Sequence, residues 1–228
     1  MNYTTPKLLP QYTPLASFKA FSSFVLENQR RMTPQCFAQE LGNIQKSYMR
    51  AKQRDLFCSE ADMLADKLSE QKNNDFAGII ISAICKLTQF FPEQLEPFAQ
   101  KGFIIAKANG DFIHMMSRLN DLRKIYYRNP NKLYKYLQVL YEQEKCLKVL
   151  SNNYDTAVNS YRTVNRHAAN RVDYAQMLAH VQTELGKLIK RKHPEEAKEK
   201  LLSAREIFNS RGNTQHLGYI NMLLREIG

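Results

Sequence analysis

The chain has 228 residues, of which 43% are hydrophobic and 24% are charged, and its formal net charge is +11 at pH 7. This balance excludes intrinsic disorder, because the apolar content is sufficient for a sizeable core. It also excludes a membrane-spanning protein, because the longest apolar run, FAGIIISAIC at residues 76–85, has about half the length that a helix needs to cross a bilayer.

The N-terminal segment, residues 1–14, is predicted to be extended. Pro6, Pro10 and Pro14 recur at every fourth position, which disfavours a helix. The segment is either a disordered arm or a cap that covers the first helices, and we favour the cap because terminal repeats need covering. It lacks the charged start and apolar core of a secretory signal, so we expect a cytoplasmic protein.

Residues 15–228 are predicted to form a single domain of helical hairpins. The first helices of the hairpins are predicted at residues 15–26, 56–68, 95–106, 133–150 and 174–189. Each second helix carries small or apolar residues at i, i+4 and i+7, namely Phe37, Leu41 and Ile44; Ala77, Ile81 and Ile84; Met115, Leu119 and Leu122; Ala157, Tyr161 and Val164; and Ala197, Leu201 and Ala204. The triplets recur at intervals of about 40 residues, which is typical of stacked helical units.

Helix-start chemistry precedes every triplet. The preceding residues are Thr33-Pro34, Asn73-Asn74-Asp75, Asn109-Gly110-Asp111, Asn152-Asn153-Tyr154-Asp155 and His193-Pro194. Short side-chain oxygens cap the first N–H groups of a helix, and proline suits its first position. With a last helix over residues 214–227, the pattern predicts an all-α, right-handed superhelical stack of about five helix-turn-helix repeats and a C-terminal capping helix.

The C-terminal hairpin carries a more specific set of positions. Leu185-Gly186 lies in its first helix, with Ile189 one turn on, and Ala197, Leu201 and Ala204 lie in its second helix. This set resembles a tetratricopeptide repeat, which has Leu-Gly, an aromatic residue, and Ala, Phe and Ala there. The chain departs from the family in having no Trp and a longer interval. The resemblance implies a protein-binding scaffold whose first helices line a concave groove.

The positive charge is concentrated in the second half of the chain. Residues 1–114 have a net charge of +2, whereas residues 115–228 have a net charge of +9. The asymmetry favours an anionic partner, either an acidic peptide or nucleic-acid phosphate. The equally supported alternative is that the cations decorate solvated helix faces.

Two basic clusters are candidate partner-binding sites. The first contains Lys187, Lys190 and Arg191, which share one helix face; by the resemblance, these residues and Thr183 point into the groove. The second cluster interleaves basic and aromatic residues over residues 125–136, and its candidates are Arg128, Lys132, Tyr134 and Lys135. Stacking combined with phosphate contact is typical of single-strand binding, although tyrosines at helix ends more often pack their rings in the core.

Nothing in the sequence indicates catalysis, a metal site or a cofactor. The five histidines show no metal-ligand spacing, and there is no glycine-rich phosphate loop. The four cysteines, Cys36, Cys58, Cys85 and Cys146, lie far apart and are predicted to be buried thiols. We therefore expect a non-enzymatic adaptor or regulator that binds an acidic segment of a protein or peptide partner in the concave groove. The alternative is an RNA- or single-strand-binding protein, but the repeats share no polar code.

Overall fold

The computed structural model describes residues 14–127, 129–152 and 173–228, with backbone alone for residues 14–17. These residues contain ten α-helices and no β-strand. The helices are α1 (Pro14–Asn28), α2 (Pro34–Arg50), α3 (Arg54–Glu70), α4 (Asn74–Thr88), α5 (Pro92–Ala108), α6 (Phe112–Tyr126), α7 (Leu133–Asn152), α8 (Tyr174–Ile189), α9 (Pro194–Ser210) and α10 (Thr214–Arg225). A short 3₁₀ turn, Pro130–Lys132, precedes α7. The all-α prediction is confirmed, and helices that follow one another in each unit pack together.

The apolar triplets form the buried stripes of α2, α4, α6 and α9. Every member of the four triplets that begin at Phe37, Ala77, Met115 and Ala197 is 5% exposed or less. The triplet that begins at Ala157 lies outside the described residues, as do residues 1–13 of the predicted extended segment. Because each of these helices buries one apolar stripe, the stripes are visible in the sequence as apolar triplets. The interval of about 40 residues is the spacing between them.

Side-chain caps start three of these helices at the predicted residues. The side-chain oxygens of Thr33, Asn73 and Asp111 accept hydrogen bonds from the backbone N–H three residues on, at 3.2, 3.4 and 3.0 Å. His193 makes no such bond, and α9 begins instead with Pro194 at its first position. A proline there has no N–H that would need a partner.

The chain divides into two compact units, Met1–Asn109 and Gly110–Gly228. The sequence-based prediction of one domain over residues 15–228 made no division at this point. The two units are described separately below.

In the first unit, α3 and α5 run parallel with a register close to 40 residues. Arg54 bonds the Gln94 side chain at 3.2 Å, and the Lys101 ammonium lies 2.5 Å from the Asp62 carboxylate. Both contacts join residues that are 39 or 40 positions apart. The interval in the sequence is therefore a physical register between neighbouring helices in this unit.

In the second unit, the register is less regular. α8 and α10 run parallel, because His180 meets His216 and Lys190 pairs with Glu226, and each pair is 36 residues apart. α7 runs parallel to α9 with a register of 55 or 56 residues, through the bonds from Tyr141 to Glu196 and from Lys200 to Glu144.

This arrangement differs from the predicted repeat assignment, in which α7 and α8 are both first helices of hairpins. The structure packs α7 against α6 and α8 and places it alongside α9, the second helix of the next hairpin. An apolar stripe shows which side of a helix is buried, but it does not identify the neighbouring helix. The periodicity of a helix therefore did not predict which helices it packs against.

Candidate partner-binding surfaces

The predicted basic site lies at the C-terminal end of α8, where the apolar face of the helix is anchored on α9. Leu185 and Ile189 are buried, and Gly186 lies so close to α9 that a Cβ there would be 2.7 Å from Leu201 Cγ. Lys187 and Arg191 are exposed. Cations near a helix C-terminus also interact favourably with the helix dipole, so this position stabilises α8 itself.

The four residues that were predicted to bind a partner together differ in their exposure and in their ion pairs. Thr183 is only 7% exposed, and its hydroxyl donates to the Ala179 carbonyl oxygen at 2.7 Å, so it is not presented to a partner. Lys190 pairs with Glu226 of α10. Lys187 and Arg191 are left as exposed cations, and neither has a carboxylate partner among the residues that the structure describes.

Exposed apolar side chains on α10 flank this site, and they were not among the predicted site residues. Tyr219 is 38% exposed and Met222 is 48% exposed, whereas Ile220 and Leu223 are buried. In the parallel register of α8 and α10, Met222 lies at the level of Gly186, one position before Lys187. We call Lys187, Arg191, Tyr219 and Met222 the α8–α10 face. The sequence of α10 contains more apolar residues than one buried stripe requires, and this excess could have indicated exposed apolar side chains.

The second predicted site lies where α6 turns into α7. We call Tyr127 and residues 129–135 the α6–α7 corner; Arg128 lies outside the described residues. The ammonium groups of Lys132 and Lys135 lie 5.4 and 5.6 Å from the centroid of the Tyr126 ring. Tyr134 is 73% exposed and Leu133 is 50% exposed. The predicted lysines therefore contact an aromatic ring, and the predicted tyrosine projects into solvent.

Tyrosines of this region divide into packed and exposed ones. Tyr126 and Tyr136 are each 3% exposed, which fits the ordinary role of a tyrosine in the core. The Tyr136 hydroxyl donates to Glu184, which also pairs with Arg123 of α6. Burial, aided by the bond to Glu184, raises the pKa of Tyr136. Tyr127, by contrast, is 59% exposed.

A buried polar seam joins α7, α8 and α9, and nothing in the sequence analysis predicted it. It consists of Gln143, Glu144, Gln182 and Lys200. Glu144 is 3% exposed, and its carboxylate accepts from Lys200 at 2.8 Å and from Gln182 at 3.3 Å. Burial acts to raise the pKa of Glu144, but the hydrogen bonds from Lys200, Lys148 and Gln182 outweigh it and lower the pKa.

The seam also holds unsatisfied acceptors. Among the described residues, the buried Oε1 atoms of Gln143 and Gln182 have no hydrogen-bond partner, although the amide nitrogens donate to Asn120 and Glu144. An unpartnered buried carbonyl has a cost of about 1–3 kcal/mol. The seam thus fixes how three helices meet at some expense of stability.

In the first unit, the exposed surface of α3 and α5 carries charges that are largely neutralised. Lys101 lies between Asp62 and Asp66, at 2.5 and 2.7 Å. Met63 and Ile104 are 56% and 65% exposed on the same two helices. This surface combines apolar side chains with an internal ion-pair network, whereas the α8–α10 face has two cations without a carboxylate partner in the described part of the chain.

Groups with catalytic potential are sparse in residues 14–127, 129–152 and 173–228. No three His, Cys, Asp or Glu side chains in these ranges are grouped to hold a metal ion. Burial raises the pKa of the Cys58 thiol to about 11, which keeps it protonated and unreactive. Over the same ranges, the helices are too short or too polar to traverse a bilayer.

Comparison with known proteins adds little to this architecture. No family model matches the chain, and no curated protein matches it. One similar solved structure is the crystal structure of a de novo designed helical repeat protein, which is 12% identical. The likeness covers 92% of this chain and 98% of that chain, with a TM-score of 0.32.

Proposed function

We propose that the protein is a non-enzymatic adaptor of the tetratricopeptide-like kind that binds an acidic, partly apolar protein segment on the α8–α10 face. The observation that carries the proposal is the exposure of Lys187 and Arg191, one helical turn apart, with no carboxylate partner among the described residues. Tyr219 and Met222 supply exposed apolar area at the same end of the unit. Interfaces favour aromatic residues, Met and Arg.

The tetratricopeptide-like relation is supported by the packing of the Leu185-Gly186 pair. Gly186 approaches the Ala197 backbone oxygen and Leu201 so closely that any side chain would displace them. Close approach of two hairpin helices at a glycine matches what the resemblance implies for these positions. The concave groove and the right-handed superhelix stay predictions.

The charges on and beside this face determine its affinity for an acidic partner. Lys187 and Arg191 lie well within the Debye length of about 8 Å at physiological salt of any ligand on this face. Glu226 forms a salt bridge with Lys190 and adds a negative charge beside the site. An acidic ligand therefore competes with Glu226 for Lys190, which limits its affinity.

Selection from a displayed library of random peptides tests the proposal. We expect the purified chain to enrich peptides that combine Asp or Glu with apolar residues. The double variant Lys187→Glu/Arg191→Glu should bind the enriched peptides at least about tenfold more weakly, mainly through slower association. The matched control is Lys198→Glu/Arg205→Glu, which makes the same charge change on the exposed surface of α9.

Glu226→Gln provides the opposite test. The substitution removes the charge that neutralises Lys190, so binding of the enriched peptides should tighten. The proposal is wrong if the selected peptides show no acidic enrichment. It is equally wrong if both double variants weaken binding to the same extent, because net charge rather than this face would then govern the interaction.

A further inference from the structure

The α6–α7 corner has two exposed aromatic rings for which the peptide-binding proposal offers no use. Tyr127 and Tyr134 are 59% and 73% exposed. The neighbouring Lys132 and Lys135 place their ammonium groups over the ring of Tyr126. We propose that this corner binds single-stranded nucleic acid, with bases stacked on Tyr127 and Tyr134 and phosphates held by the surrounding cations. The inference concerns different residues from the α8–α10 face and stands independently of it.

Tyr127 is supported as a stacking platform. One side of its ring meets the buried ring of Tyr136, with the centroids 5.7 Å apart and the planes tilted by 57°. Tyr136 is in turn fixed by its hydrogen bond to Glu184. A ring that already packs against a buried neighbour loses little side-chain entropy when a base stacks on its opposite side.

The backbone of the corner is also ordered by local hydrogen bonds. The Asn129 side-chain oxygen accepts from the Asn131 N–H at 3.1 Å, and the Asn129 carbonyl accepts from the Lys132 N–H at 2.9 Å. These bonds fix the 3₁₀ turn that positions Lys132 and Leu133 ahead of Tyr134. The aromatic and basic side chains are therefore presented from a structured turn.

The local charge is complementary to phosphate. In the sequence, residues 122–141 contain five Lys or Arg and no Asp or Glu, and of these cations Arg123 is paired with Glu184. Neutralisation of phosphates by such cations releases counterions, which drives binding and makes it salt-dependent. Stacking on an aromatic side chain adds affinity of about 1–3 kcal/mol for each base.

An acidic peptide fits this corner less well. Peptides are usually held along a sheet edge or in an apolar groove that accepts a helix or an extended chain. The described part of the corner is a turn with projecting rings, and it contains no strand. Bases need only an accessible ring and nearby cations, and the corner provides both.

Fluorescence anisotropy with a labelled oligouridylate tests the inference on the full chain. Tyr127→Ala/Tyr134→Ala should weaken binding by about tenfold or more for each ring, which corresponds to about 1.4 kcal/mol per tenfold. Tyr127→Phe/Tyr134→Phe should retain the wild-type affinity, because stacking uses the ring and not the hydroxyl. Phe90→Ala is the control, since Phe90 is an 81% exposed aromatic side chain that belongs to neither proposed site.

Unlabelled competitors separate the remaining explanations. Oligouridylate should compete far better than heparin or oligoglutamate, and the affinity should fall steeply as salt rises. Equal competition by heparin, together with unchanged affinity in the double alanine variant, would show charge attraction alone and overturn the inference. Stronger competition by oligoglutamate would make the corner an acidic-peptide site and overturn it as well. Absence of oligouridylate binding at low salt would also refute it.

Discussion

The two units bury different chemistry. In the first unit, the core is organised around aromatic rings, and the Phe37 ring stacks on Phe76 with centroids 4.4 Å apart. In the second unit, the buried Gln182 donates to the buried Glu144, and the buried Gln143 donates to Asn120. Ring packing is insensitive to pH, whereas an ion pair in the interior depends on the charge of both partners.

The difference shows two ways to specify which helices meet. Apolar stripes can slide or exchange neighbours at a modest cost, because dispersion contacts are not directional. The buried Glu144 carboxylate pairs with Lys200, and this contact forms only where α7 and α9 are neighbours. The second unit has an irregular register, and there the polar seam identifies the neighbouring helices.

The largest expected effect is the loss of the aromatic stack. Phe37→Ala should destabilise the first unit by about 4 kcal/mol, because it leaves a cavity beside Phe76 and Phe21. Urea unfolding followed by circular dichroism measures the change. Phe90→Ala is the control, since Phe90 is 81% exposed and should shift stability by less than about 0.5 kcal/mol. Equal shifts in the two variants would contradict the aromatic account.

Removing the carboxylate of the polar seam should have the next largest effect. Glu144→Ala leaves Lys200, whose side chain is 13% exposed, without its main partner, at a cost of about 3 kcal/mol. Glu142→Ala, two residues earlier on α7, removes the salt bridge to Lys145, whose side chain is 70% exposed, and should cost at most about 1 kcal/mol. The same urea titration compares the two variants, and a smaller loss in Glu144→Ala would refute the seam as a structural determinant.

The same carboxylate makes the second unit sensitive to acid. The pKa of Glu144 is below its ordinary value of 4.5 in the folded chain, so the unfolded chain takes up the proton first. Stability should therefore decline as pH falls below about 4.5, until the folded-state pKa is passed. Glu144→Gln should flatten this decline, and unfolding titrations at several pH values measure it. An unchanged decline would assign the acid sensitivity to other groups.

Substitution of two glycines by alanine, one in each unit, should have smaller effects on stability, and the two effects should have opposite signs. Gly186→Ala should destabilise by about 2 kcal/mol, because the new Cβ would lie 2.7 Å from Leu201 Cγ. Gly42→Ala in α2 should stabilise by about 1 kcal/mol, because a Cβ there meets nothing within 4 Å and alanine favours the helix. Thermal melting of both variants tests the prediction, which fails if the two shifts share a sign.

The smallest expected effect concerns the turns after α3 and α9. Lys72 and Gly212 both adopt a left-handed backbone, with φ of 60° and 66°. Lys72→Gly should stabilise the first unit by about 1 kcal/mol, and Gly212→Ala should destabilise the second by a similar amount. Melting temperatures measure both, and a destabilised Lys72→Gly variant would mean that the lysine side chain contributes more than its backbone strain costs.

The sequence by itself determined the helices, their starts and their buried sides. A buried stripe has a period that is visible in the chain, and a capping oxygen or proline marks a helix start within a few residues; Asn73 and Pro194 lie where these rules place them. The exposure of Tyr134, by contrast, departs from the expectation that tyrosines at helix ends pack their rings.

Only the tertiary structure decided which helices became neighbours and which charged side chains formed pairs. Glu144 and Lys200 are 56 residues apart, and Lys190 and Glu226 are 36 apart. No local pattern joins residues at such distances, because a contact between helices depends on the register and layer in which they pack. The burial of Thr183, the neutralisation of Lys190 and the existence of the polar seam therefore had no signal in the sequence.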